Sequence, residues 1–223
     1  SDLMTKNRQL LFKNTILILI SLTCTVALYL LGPVKQDPAY HAFADQNTYL
    51  SIPNFWNIVS NIPFVIIGIW GILYVFSKTL KDAEDQPLMV FFVFFSGVFL
   101  TGIGSAYYHY NPCNETLFWD RLPMTISFTA FFSIVICEFI SVKAGLRLFV
   151  PFFTLGIFSL IYWKITESYG VGDLRFYIVI HFLPIILTVA ILVFDHNNRK
   201  SCFGQIVVLY ALARFFEIDD NRI

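Results

Sequence analysis

Three side chains able to do chemistry together, Ser105, His109 and Asp120, fall in the stretch GSAYYHYNPCNETLFWDRLPM, Gly104 to Met124. Ser105 and His109 are four apart, so on a helix they share one face, a single turn from each other. Asn111-Pro112 ends that helix. Asp120 follows early in the next one and can look back at the imidazole. Each residue alone has an ordinary explanation: an interfacial His, a Ser between packed helices, an Asp favoured by a helix N-terminus with Arg121 beside it. Together, at membrane depth where polar groups are costly, they mark a site of function. A Ser-His-Asp hydrolase fits poorly, because nucleophile and base would lie on one helix with no oxyanion loop in view. A metal fits better: one neutral imidazole ligand, a carboxylate to hold and deprotonate a bound water, and a hydroxyl to steady the oxyanion. Zinc usually takes about three protein ligands plus water, and one is visible here.

These residues need a membrane scaffold. The chain has 223 residues, 57% hydrophobic and 13% charged, with 25 Phe. A soluble domain carries about 25% charged residues. Net charge is zero, which gives nucleic acid no surface to bind. The four cysteines are scattered, without metal or disulfide spacing. The apolar runs predict an all-α, polytopic bundle with helices near 15–31, 55–76, 88–108, 117–140, 146–163, 174–194 and 202–216. The first run reads as a membrane anchor rather than a signal peptide, since no small-x-small cleavage site follows it. Residues 1–31 thus form a tail and anchor, and 32–223 the main membrane domain. With the N-terminus inside, inner loops carry nine Lys and Arg against six outside. That places Ser105, His109 and Asp120 at the outer face, with the polar connector 32–55 on the same side. Short loops suggest a bacterial inner membrane.

Other polar groups are read more plainly. Asn57, Ser60 and Asn61 form one stripe on the second helix, expected to hydrogen-bond a neighbouring helix and support a nearby site. His181 is expected to bond another helix, and His41 and His196 to be solvated loop residues. Glu138 is a boundary charge. Asn114-Glu115-Thr116 has the form of a glycosylation sequon and is discounted.

The Ser-x3-His-x10-Asp spacing, the NFWNIVSN helix head (residues 54–61) and the late segment LYALARFFEIDDNRI (residues 209–223) resemble the alkaline ceramidases. They resemble more closely the bacterial proteins labelled alkaline phytoceramidase, in a superfamily of seven-helix membrane hydrolases with adiponectin/progestin receptors and Per1-type proteins. The resemblance runs over roughly residues 43–223. It implies a zinc ion with His109 as a ligand, Asp120 binding and deprotonating the water, and Ser105 stabilising the oxyanion as a ceramide amide is attacked. It also implies a calcium site before the second helix, in ADQNTYLSIPN, with Asp45, Asn47 and Asn54 as candidates. Asn54 stands where the family has Glu, so a weaker calcium site, or none, is expected.

The family's other two zinc ligands come from a His-x3-His on its last helix, and this chain has no such pair. Either the chain is a fragment ending before that helix, beside an extra N-terminal helix, or the site is assembled differently and recruits His181. The first is favoured, so a chain ending at Ile223 is expected to bind zinc weakly and to be inactive. Equal zinc affinity in a version extended through the final helix would refute this. The resulting expectation is a zinc-dependent amide hydrolase, with calcium a second candidate ion, cleaving a ceramide-type lipid drawn from the bilayer. The alternatives are a lipid-responsive receptor and a lipid remodelling hydrolase.

Overall fold

A computed structural model describes residues 2–78, 87–194 and 200–218. The charged loop at 79–86, His196, Arg199 and the tail from 219 lie outside the described residues. The helices in chain order are α1 (Asp2–Leu30), α2 (Phe55–Val59), α3 (Ile62–Phe76), α4 (Leu88–Tyr110), α5 (Asn114–Phe139), α6 (Val142–Ser168), α7 (Arg175–Phe194) and α8 (Lys200–Ile218). A 3-10 turn, Pro38–His41, interrupts the connector. Among the described residues, five segments are long and apolar enough to cross a bilayer: Phe55–Phe76, Leu88–Tyr110, Asn114–Phe139, Val142–Ser168 and Arg175–Phe194. Apolar stretches Thr15–Leu30 and Ser201–Phe216 are shorter. Outward-facing Ile66, Trp70, Leu73, Leu155 and Val193 suit a surface solvated by lipid. The all-helical membrane bundle expected from the apolar runs is the fold observed.

The second predicted helix is broken. Asn61 and Ser60 separate α2 from α3, and Pro63 stands in the first turn of α3, where a missing N–H costs nothing. The Asn57–Ser60–Asn61 stripe consequently turns inward on its own backbone. Asn61 Nδ2 and Ser60 Oγ both donate to the Asn57 carbonyl, at 2.7 and 2.8 Å, in place of the expected bonds to another helix. The Asn61 carbonyl instead packs against Gly102 of α4.

Helix α5 is the central element. It packs on α4, α6 and α7, and 56% of its apolar window is buried, against 17–33% in the other spanning segments. Its buried hydroxyls are satisfied locally: Thr125 Oγ1 donates to the Arg121 carbonyl, Thr129 to Thr125, and Ser127 to Pro123. Ser133 Oγ crosses to the Gly145 carbonyl of α6 at 2.8 Å. In hydrocarbon, where water cannot serve these groups, such pairing lets small polar residues line a helix contact.

The connector folds over the end of the bundle that carries the α4–α5 turn. Val34 and Leu174 pair through Leu174 N–H to Val34 O at 2.8 Å, and Asp173 accepts from Val34 N and Tyr162 Oη. Arg175 closes on Asp173 at 2.8 Å and also donates to the Tyr29 carbonyl, so α1, the connector and the α6–α7 loop are strapped together. Burial pushes the Asp173 carboxyl up, but the Arg175 side chain and backbone donors outweigh it and hold it below the usual carboxylate range. A carboxyl lowered in this way stabilises the fold above its unfolded pKa and loses that contribution as pH falls through the folded value. Asp173→Asn is therefore expected to lower thermal stability by about 2 kcal/mol near neutrality. Melting curves should show the gap to the native protein closing below about pH 4.

Candidate active site

The α4–α5 hairpin sets the sequence neighbours of two of the three candidate residues, Ser105 and Asp120, against each other. Proline at position 123 cannot donate to the carbonyl four residues back, which leaves the Trp119 carbonyl of α5 open. Gly104 of α4 sits directly against that oxygen, closer than any Cβ would permit. Ser105 and Asp120 are the next residues along from this point of closest approach. Ser105 is half-buried, while Asp120 is buried, at 8% exposure. Asp120 and Arg121 also lie within electrostatic reach of Tyr177 on α7.

His109 lies one turn beyond Ser105. Its ring is set against Phe43 of the connector, with centroids 4.5 Å apart, and against Tyr108 at 5.2 Å. Its carbonyl accepts from Asn54 Nδ2 at 2.8 Å, so the residue before α2 anchors the end of α4. Asn54 holds a left-handed backbone, φ 45°, which Asn tolerates better than most residues. The turn between α4 and α5 is fixed by Thr116, whose Oγ1 donates to the Asn111 carbonyl at 2.6 Å.

His41, expected in solvent, is half-buried and bonded at both nitrogens, to Tyr108 Oη and to Asn114 Oδ1, each at 2.9 Å. The turn at Pro38–His41 carries it onto the α4–α5 junction, a placement that loop sequence does not encode. Asn114 Nδ2 in turn donates to Glu167 Oε1 at 2.7 Å, so the amide of the sequon is engaged in the fold. His181 behaves as expected: buried on α7, it bonds Tyr210 Oη of α8 through Nε2 at 2.9 Å.

The calcium candidates are arranged as a cap. Asp45 Oδ1 accepts from the backbone and side chain of Asn47, and Oδ2 from Trp56 N and Asn57 N at 2.8 and 3.3 Å. Slight burial pushes the Asp45 carboxyl up, but the Asn47, Trp56 and Asn57 donors outweigh it and leave it lowered. Both oxygens already face N–H groups at the start of α2, and Asn54 faces His109. Asp45→Ala is expected to cost about 1 kcal/mol, as for loss of a cap.

Among the described residues no three His, Cys, Asp or Glu side chains lie together as a metal-holding group. His109 and Asp120 supply one imidazole and one carboxylate, so these residues do not by themselves fit a zinc ion, which needs about three protein ligands. Arg121 was legible only as a neighbour of Asp120. It is buried at 7% exposure, with its guanidinium 4.9 Å from the Trp163 and Tyr177 rings and a bond from Nη2 to Gln36 Oε1. The available signal was an arginine inside an apolar helix.

A family profile described as Ceramidase matches residues 44–219. No curated protein and no solved structure matches the chain. The matched span takes in Asp45, the whole α4–α5 hairpin and Arg121, and leaves all of α1 outside it. The chain belongs to the Ceramidase family, a ceramide-hydrolysing membrane enzyme by that membership.

Proposed function

We propose that the protein is a zinc-dependent amide hydrolase that cleaves ceramide-type N-acyl sphingoid lipids to a sphingoid base and a fatty acid. The observation that supports this best is Asp120, a carboxylate buried beside the Gly104–Trp119 contact in a membrane hairpin. A buried acid in that setting is costly and has a functional reading by default. Bound zinc would supply a polarised water, and His109 would be one of the residues that hold it. The described residues fall short of a full set, so the steps below belong to the chain's own groups.

Asp120 accepts a proton from the attacking water at its carboxylate. Ser105 donates its hydroxyl proton in a hydrogen bond to the oxygen of the tetrahedral intermediate, as an oxyanion donor does. The C–N bond then breaks, the acyl carbon keeps the water oxygen, and the proton held on Asp120 passes to the leaving amine. The apolar bundle suits a two-tailed substrate entering sideways from lipid. The site would face the outer side of a bacterial inner membrane, where the connector caps it.

Ser105→Ala is expected to lower turnover about a hundredfold, the scale of losing one oxyanion donor, with KM little changed. A variant that keeps native turnover would remove Ser105 from the reaction. For calcium, the occupied oxygens of Asp45 imply weak binding or none. Millimolar calcium should leave the melting temperature unmoved; a rise of several degrees that Asp45→Ala abolishes would contradict this.

A further inference from the structure

Two buried N–H donors on facing helices have no acceptor among the described residues. Arg121 Nη1, on α5, and Trp163 Nε1, on α6, are both shielded from solvent and make no hydrogen bond among the described residues. Arg121 is 7% exposed and Trp163 is 0% exposed. The guanidinium carbon lies 4.9 Å from the Trp163 ring centre, so the two open donors are close neighbours that one bound group could reach. Tyr177 at 4.9 Å and Tyr40 at 5.7 Å complete a ring of aromatic faces around the charge.

Arginine stays charged in any protein setting. Aromatic faces offset part of the cost of burying it, but an N–H left without an acceptor keeps the full desolvation penalty. The missing group must therefore accept at least two hydrogen bonds, and a negative charge would suit the guanidinium best. A hydroxyl or an amide brings donors of its own, and no charge. A phosphate brings more oxygens than two open donors can serve. A carboxylate matches, with two acceptor oxygens and one charge. Around it lie Tyr108, Leu117, Leu160 and Leu174, which pack with Trp163 and Tyr177 as one apolar cluster. Such surroundings favour a carboxylate at the head of a hydrocarbon chain.

We propose that Arg121 and Trp163 form a receptor site for the carboxylate of a long-chain fatty acid. The case for binding at this site rests on the two donors and the aromatic and apolar groups around them, not on the reaction. That the bound acid is also the product of the protein's own reaction rests on the hydrolase reading above; there the site retains the acid after cleavage and makes it an inhibitor.

The test is equilibrium binding of labelled palmitate, hexadecanol and hexadecyl phosphate to the purified chain in lipid nanodiscs. The native protein should prefer palmitate to hexadecanol by about tenfold or more, the scale of charge-assisted hydrogen bonds. Arg121→Gln should abolish that preference. Trp163→Phe, which keeps the ring over the guanidinium and deletes only the N–H, should weaken palmitate several-fold and leave hexadecanol unchanged. If Arg121→Gln fails to fold, judged by loss of its melting transition, Trp163→Phe decides alone. Equal binding of acid and alcohol by the native protein would overturn the site, and would mean that water satisfies the donors. Stronger binding of hexadecyl phosphate than of palmitate would overturn the carboxylate assignment. An acid preference that depends on these residues, in a protein that cleaves no ceramide, would keep the site and remove the hydrolase; cleavage without the preference would do the reverse.

Discussion

Asp120→Asn is expected to reduce ceramide cleavage by about a thousandfold or more, within the range for losing a positioned general base. A thousandfold is about 4 kcal/mol of transition-state stabilisation. The substitution is nearly isosteric, so the contact beside Gly104 and Trp119 should persist. Asparagine has no basic oxygen and cannot take the proton of the attacking water. It is also neutral, and a neutral amide costs less at membrane depth than a carboxylate. Folding and lipid binding should therefore survive, with the melting temperature equal to or above the native value. A loss of turnover accompanied by unfolding would assign Asp120 a structural role. Cleavage that continues in a folded Asp120→Asn protein would end its role in water activation.

The second large effect is expected at Gly104. A Cβ there would press on the Trp119 carbonyl and lie 3.3 Å from Pro123 Cγ. Neither group can swing aside, since one is backbone and the other a ring in the middle of α5. Gly104→Val should force α4 and α5 apart at the point that flanks Ser105 and Asp120. Overpacking of a closed contact costs about 1–3 kcal/mol, and rigid backbone puts this site at the upper end. Both the melting temperature and turnover should fall. Gly204 on α8 gives the control, because a Cβ there meets nothing within 4 Å and its backbone is helical. Gly204→Ala should leave stability unchanged or raise it by about 1 kcal/mol through helix propensity. Equal damage at the two glycines would show that the Gly104 contact carries no special weight.

The helices were readable because a hydrocarbon slab allows long apolar runs few alternatives to a helix. That the connector lies on the same side as the α4–α5 end was readable from the sequence, but its His41 and Asn54 bonds to that junction were not. The break at Ser60 and Asn61 was missed although Pro63 announced it, because an unbroken apolar pattern hides a kink. His41 could not be placed from sequence, since a loop histidine goes wherever the connector carries it. Glu167 meets Asn114 across 53 residues, a pairing that no local pattern encodes. Arg121 is the instructive case. Its presence in an apolar helix was visible, but the absence of an acceptor at Nη1 among the described residues depends on what α6 and the connector bring around it.

The central claim is that the bundle hydrolyses the amide of an N-acyl sphingoid lipid. The most direct test supplies purified, full-length protein with a ceramide labelled in both its acyl chain and its base, with zinc present. The account predicts that labelled fatty acid and labelled sphingoid base appear in equal amounts, and that both vanish in Asp120→Asn. Tight ceramide binding with neither product released would contradict it, and would leave a lipid-responsive receptor built on the same fold.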